Sequence, residues 1–173
     1  YTVAADGLSL KRLSGNEAID TRPSWSRDGK QIYFISNRSG RDELWRMPAA
    51  GGAAEQFTKA GADDGRESYD GLSVFVLQRN NLPLLDREIV RISKHDGSIK
   101  PLELARGGRF GVRLFNLPFL PTAQGLYVIA FQKQQRKWAV LLYPERGDPR
   151  VVTTFEHAPG AGLAVSPDGY RGR

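Results

Sequence analysis

The sequence predicts an all-β protein of the β-propeller class, built from blades of four antiparallel strands. Three observations lead to this prediction. The chain has 19 glycines and 10 prolines among its 173 residues. These two helix-breaking residue types together occupy about one position in six, above an average usage of roughly 12%, which disfavours long helices. Turn signals return at a regular spacing, and the segments between them are rich in β-branched and aromatic residues. Such segments are typical of strands.

The regular spacing comes from two interleaved series of turn formers. The first series ends in glycines that lie 42, 54 and 44 residues apart, namely Gly29, Gly71, Gly125 and Gly169. The second series has spacings of 45, 45 and 50 residues, at Gly7, Gly52, Gly97 and Gly147. Aspartate before glycine favours a tight turn, because its side chain bonds to the backbone two residues on and glycine takes a positive φ without steric cost. A period of about 40 to 50 residues with two turns in each period is typical of a four-stranded propeller blade.

Within each period, three kinds of segment follow one another. The first is apolar on both faces, as expected for a strand buried between neighbouring sheets, and occurs at residues 31–36, 72–77 and 126–131. The second alternates apolar and polar residues, at 43–47, 88–92 and 137–143. A turn then leads to a last strand, at 55–58, 99–102 and 150–155. Pro101, in one of these last strands, has no backbone N–H to donate to a neighbouring strand. Because only an edge strand tolerates this loss, we expect the last strand of the blade to be the outermost.

The predicted map is three blades, at about residues 22–58, 66–104 and 113–156, with part-blades at 1–14 and 162–173. Closed propellers have about four to eight blades, and an open arc would expose two apolar faces. The sequence favours an incomplete propeller, a fragment of a longer reading frame, because the chain starts in mid-blade without methionine and ends where an apolar strand is due. Two alternatives are a composite blade that closes a four-bladed ring, and assembly of two chains into a larger ring.

Residues 23–47 carry an extended motif. They read Pro-Ser-Trp-Ser-Arg-Asp-Gly, an apolar strand, Ser-Asn-Arg-Ser-Gly, and a second strand, and Gly51-Gly52 and Phe57-Thr58 follow. This pattern resembles the repeat of the TolB-like β-propeller family, although Arg27 stands where that family has proline. From 66 to 156 the chain keeps the period and departs further from the motif.

The resemblance implies a function in binding. Propellers of this family form the extracytoplasmic part of cell-envelope proteins or the sensory half of bacterial regulators. The expectation is therefore a non-catalytic module that presents loops to a protein or peptide partner, with a periplasmic or extracytoplasmic location favoured. The alternative is that the chain resembles the non-catalytic propeller of a prolyl-oligopeptidase-like serine hydrolase, which requires a downstream α/β-hydrolase domain.

Composition excludes several kinds of site. The chain has no cysteine, so it has no disulfide, thiolate metal site or cysteine nucleophile. No apolar run approaches the roughly 18 residues of a membrane-spanning helix. The net charge is +6, but the 25 lysines and arginines are scattered, without the runs of about five to eight that mark a nucleic-acid patch. We therefore expect no membrane span and no direct nucleic-acid contact from this region.

The residue patterns of catalysis and cofactor binding are also missing. The two histidines, His95 and His157, form no metal-binding pair. No serine lies in a Gly-x-Ser-x-Gly elbow, and no glycine-rich phosphate loop occurs. The sequence thus predicts no enzyme, no catalytic residue, no cofactor and no metal site. A calcium site is conceivable at Asp63-Asp64-Gly65, expected in a connection between blades, although the alternating ligands of a calcium loop are lacking.

Two further sets of residues are candidates for contacts. Arg106, Arg109 and Arg113 lie around three glycines and predict a basic binding rim for an acidic ligand. Trp25 and Tyr69 stand just before tight turns, and their large aromatic area predicts that they fill space between blades. An oligomer is a further expectation, because association would cover open blade faces.

Overall fold

The structure is a computed structural model that describes residues 1–15, 17–79, 88–102, 119–132, 135–157 and 163. These residues form fourteen strands, and no helix occurs among them. A short hairpin, β1 (Thr2–Val3) and β2 (Leu10–Lys11), comes first, with Thr2 opposite Lys11. The remaining twelve strands form three four-stranded sheets, each an antiparallel meander in chain order. The prediction of blades with four antiparallel strands is therefore confirmed.

Each sheet uses consecutive strands. The first contains β3 (Asp20–Trp25), β4 (Gln31–Ser36), β5 (Glu43–Pro48) and β6 (Glu55–Gln56). The second contains β7 (Ala62–Glu67), β8 (Ser73–Gln78), β9 (Glu88–Ser93) and β10 (Ile99–Pro101). The third contains β11 (Phe119–Thr122), β12 (Gly125–Gln132), β13 (Lys137–Tyr143) and β14 (Arg150–Phe155). Of the part-blade predicted at 162–173, all residues except Leu163 lie outside the described residues.

The sheets stack through their apolar strands. Between the first and second sheets, a cluster of buried side chains includes Tyr33, Leu44 and Val76. Between the second and third sheets, another includes Leu77 and Phe119. Strand β8 is buried on both faces because it lies between the first and third sheets. The other face of β4 packs in a separate cluster with Met47 and Leu13, and β12 is also largely buried, so all three sequences are apolar without alternation.

The first strands of the three sheets lie on a common side of the stack. Strand β7 contacts β3 on one side and β11 on the other. The last strands lie at the opposite edge, where β6 has only two residues and β10 ends at Pro101. The predicted edge position of Pro101 is therefore confirmed, and short or proline-bearing edges of this kind limit unwanted strand pairing.

Candidate functional site

The same turn closes the first hairpin of each sheet. The Ser26 hydroxyl donates a hydrogen bond to Asp28 Oδ1 at 2.7 Å, and Ser68 donates to Asp70 in the same way. In the third sheet, Thr122 Oγ1 accepts a hydrogen bond from the backbone N–H of Gln124 at 3.2 Å. In each turn a glycine with positive φ follows the hydroxyl residue by three positions. Residues at the same distance along the chain from the turn glycine therefore occupy the same place in each of the three sheets.

A cavity of about 350 Å³ opens beside these turns, where the three first strands end. Residues 23–27 line it from the first sheet, 66–69 from the second, and 120–121 from the third. These segments occupy corresponding positions relative to the three turns. We call this space the rim cavity. Because three repeats contribute to it, its surface exists only when the sheets are stacked.

Two aromatic side chains stand exposed at the rim cavity. Trp25 is 58% exposed and Tyr69 is 46% exposed. The prediction that they fill space between blades is wrong, because both residues lie at the strand ends rather than within the stack. The Arg27 guanidinium lies 3.8 Å from the centroid of the Tyr69 ring, a distance at which a cation is attracted to the ring face. Arg27 thus links the first turn to the second.

Glu67 anchors this part of the rim. Its carboxylate is buried and accepts hydrogen bonds from the backbone N–H of Arg27, from Lys94 Nζ, and from the Tyr33 hydroxyl at 3.2 Å. Burial, followed by the negative charge of Glu67, raises the pKa of Tyr33 above its usual value. The phenol therefore remains a neutral donor. Glu67 is fully engaged in holding the first turn against the second sheet.

Arg66 forms another part of the cavity wall. Its guanidinium lies 5.9 Å from the Phe119 ring centroid, and its Nε lies 3.9 Å from Asp64 Oδ2, too far for a hydrogen bond. That Nε is buried and has no hydrogen-bond partner among the described residues. Burial raises the pKa of Asp64, and the positive charges of Arg66 and Arg22 oppose this effect.

The structure tests some of the predicted site residues. Asp63 and Asp64 lie inside β7 and are buried, so the expectation that they stand in a connection is wrong. Arg79 Nε donates to Asp63 Oδ1 at 3.0 Å, which places a cation where a calcium ion was conceivable. In the described ranges, no group of three or more histidine, aspartate or glutamate side chains is arranged to hold a metal. Arg106, Arg109 and Arg113 lie outside the described residues, so the basic rim they predict stays a prediction.

Sequence reasoning missed Arg66, Leu120 and Pro121 as parts of a site. The signal that would have found them is their position relative to the turn glycines: Leu120 and Arg66 each stand five residues before the glycine of their turn. The weak turn motif of the third repeat hid this correspondence.

Across the parts of the chain that are described, no helix has the length and apolar character needed to cross a membrane.

Comparison with known sequences identifies the repeat. A family model described as the TolB beta propeller domain matches residues 1–103. An uncharacterized protein of Agrobacterium fabrum is 33% identical over 64 residues, which cover 37% of this chain and 22% of that protein. The Tol-Pal system protein TolB of Bordetella pertussis is 38% identical over 55 residues, covering 31% of this chain and 13% of that protein. The matches thus span less than a quarter of these relatives.

Solved structures share the fold at low sequence identity. Puromycin hydrolase aligns with a TM-score of 0.62 and 16% identity, over 97% of this chain and 27% of that chain. A putative TolB from Agrobacterium tumefaciens aligns with a TM-score of 0.58 and 15% identity, over 80% of this chain and 50% of that chain. Oligogalacturonate lyase from Vibrio parahaemolyticus aligns with a TM-score of 0.58 and 14% identity, over 89% and 46%. At such identities the likeness concerns the fold alone.

Proposed function

The chain belongs to the TolB β-propeller domain family, and we propose that it is a non-catalytic module whose rim cavity binds a protein or peptide partner. The observation that carries the proposal is the composition of the cavity. Exposed Trp25 and Tyr69 stand beside Arg27, on a surface built by three repeats. Tryptophan, tyrosine and arginine are the residue types most enriched among the energetically dominant contacts of protein interfaces.

The rigidity of the cavity walls also supports binding. Glu67 and Tyr33 fix the first turn to the second sheet, and Arg27 is stacked on Tyr69 before any partner arrives. A surface that is already ordered loses little side-chain entropy on association, so more of the contact energy remains as affinity. The size of about 350 Å³ suits one or two side chains of a partner, rather than a whole domain.

The relatives are consistent with a binding role. The Bordetella relative is named as a protein of the Tol-Pal system, and we carry to this chain only the idea that the propeller acts in an assembly. The basic segment with Arg106, Arg109 and Arg113 is a second proposed contact, for an acidic part of the partner. The alternative role, as the non-catalytic propeller of a larger hydrolase, also assigns no turnover to this chain.

Site-specific photo-crosslinking tests the proposal. A photoreactive amino acid placed at Tyr69 should crosslink a discrete partner in a lysate of the source organism, and excess unlabelled chain should suppress the product. The matched control is the same amino acid at Val152 on the outer strand β14. The exposed fraction of Val152, 48%, is similar to that of Tyr69. Equal crosslinking from both positions, or none from Tyr69, would refute binding at the rim cavity.

A further inference from the structure

The charges around the rim cavity are unequal. Its charged lining residues are Arg27, Arg66 and Glu67. Lys94 forms an ion pair with Glu67, so that carboxylate has little negative charge to offer the cavity. Among the described residues, Arg27 forms no ion pair, because its guanidinium stacks on an aromatic ring instead. Arg66 lies 3.9 Å from Asp64, which offsets its charge, so Arg27 is the lining cation that has no ion-pair partner in the part of the chain that is described.

The turn itself does not require an arginine at position 27. Its hydrogen bonds come from Ser26, Asp28 and the backbone of Gly29. The corresponding positions in the other two turns are Tyr69 and Ala123, neither of which is charged. The guanidinium of Arg27 is thus a property of the cavity rather than of the fold.

The uncharged part of the lining combines the serines Ser24, Ser26 and Ser68 with a group of apolar residues. Trp25 flanks it on one side, and Leu120 and Pro121 form the wall contributed by the third sheet. A ligand that fills the space therefore meets a guanidinium group beside an aromatic and aliphatic surface. Arginine binds carboxylates through two parallel N–H donors, which makes such a pair stronger than a neutral hydrogen bond.

We infer that the rim cavity recognises an acidic peptide segment, in which an aspartate or glutamate stands next to an aromatic or aliphatic residue. This inference rests on the proposed function and adds the chemistry of the partner. The carboxylate binds at the guanidinium of Arg27. The neighbouring apolar side chain packs against Trp25 and the Leu120–Pro121 wall.

Titration of the full chain with three short peptides tests this chemistry. The probes are the hexapeptide Ser-Gly-Glu-Phe-Gly-Ser and its versions with glutamine or lysine in place of glutamate. Binding is followed by NMR through the indole N–H of Trp25, with the indoles of Trp45 and Trp138 as internal controls. The glutamate peptide should shift the Trp25 signal saturably, and the glutamine peptide should bind at least tenfold more weakly, which corresponds to about 1.4 kcal/mol.

Two variants locate the effect. Arg27→Gln should remove the preference for glutamate over glutamine, so that this variant binds the two peptides with equal affinity. The matched control, Arg46→Gln, changes an arginine that pairs with Glu55 away from the cavity, and should keep the preference. The dispersed signals of the other two indoles report whether each variant is folded.

The outcomes separate this inference from the proposed function. Equal affinity for the three peptides would overturn the acidic preference and leave binding at the rim cavity intact. Tighter binding of a single-stranded oligonucleotide than of the glutamate peptide would also overturn it, since phosphate rather than carboxylate would then be the favoured anion. If no peptide shifts Trp25 while Tyr69 still crosslinks a partner, this inference alone fails. If both experiments are negative, both proposals fail.

Discussion

Replacement of Gly65 by alanine probes how closely the first two sheets pack. Gly65 lies in β7, and a Cβ atom built there would stand 2.5 Å from both Cδ atoms of Leu44 and 3.0 Å from its Cγ. Leu44 is completely buried in the cluster between the sheets. The φ of Gly65 is not positive, so an alanine meets no backbone strain and the whole penalty comes from overpacking. Overpacking a dense core costs about 1–3 kcal/mol of unfolding free energy.

A second substitution converts this penalty into a coupling energy. Leu44→Ala removes the atoms that obstruct the new Cβ, and by itself costs about 2–5 kcal/mol through lost burial and the cavity that remains. In that background Gly65→Ala should be stabilising by about 0.4–1 kcal/mol, because alanine restricts the unfolded chain more than glycine does. The two changes should therefore couple by about 1.5–4 kcal/mol.

Urea unfolding followed by tryptophan fluorescence measures the free energy of unfolding of the wild type, the two single variants and the double variant. The comparison is valid when the slope of free energy against urea concentration is the same in all four proteins. The matched control is Gly15→Ala, at a position without a positive φ and with no atom within 4 Å of the added Cβ, which should leave stability unchanged or raise it by up to about 1 kcal/mol. Additive effects of Gly65→Ala and Leu44→Ala, within about 0.5 kcal/mol, would refute the packing of β7 on the first sheet.

Three further changes test the contacts that hold the sheets and the rim. Tyr33→Phe should lower the free energy of unfolding by about 1–2 kcal/mol, because Glu67 loses a buried donor, whereas Tyr127→Phe, at a half-buried position, should change it by under about 0.5 kcal/mol. Glu43→Ala should cost about 3 kcal/mol in the same urea assay, because Thr58 and the Gly61 N–H lose their buried acceptor; a loss below about 1 kcal/mol would contradict this role. Burial raises the pKa of folded Asp64 above its ordinary value of 3.8, so its ionisation opposes folding as the pH rises. The stability of Asp64→Asn relative to wild type should increase between about pH 4 and pH 7, and a constant difference would show that the pKa is not raised.

The strands that repeat an apolar or alternating pattern were predictable from the sequence. Residues 31–36 and 137–143 coincide with β4 and β13 because strand periodicity is a local property that survives in the fold. The first strand of the second sheet, β7, was not predictable from the sequence, because Asp63, Asp64 and Gly65 have the composition of a loop. Its burial depends on Arg79, sixteen residues away, and on the close approach of Leu44, which a local pattern does not encode.

The candidate site also has features that were predictable from the sequence and features that were not. The turns at Gly29 and Gly71 were predictable because aspartate before glycine has a local conformational preference. The exposure of Trp25 was not predictable, since the large area of an aromatic ring favours burial in the absence of other information. Its place at the rim follows from where β3 ends relative to the neighbouring sheets, which is a property of the stack.

The most direct test of binding at the rim cavity is the affinity of the crosslinked partner for two matched variants. Trp25→Ala removes the largest exposed side chain of the cavity, and Val152→Ala removes another well-exposed hydrophobic side chain, on the outer strand β14. Biolayer interferometry should show at least a tenfold weaker Kd for Trp25→Ala, about 1.4 kcal/mol, and an unchanged Kd for Val152→Ala, with both variants melting as the wild type does. An unchanged Kd for Trp25→Ala, or an equal loss for both variants, would contradict binding at this cavity.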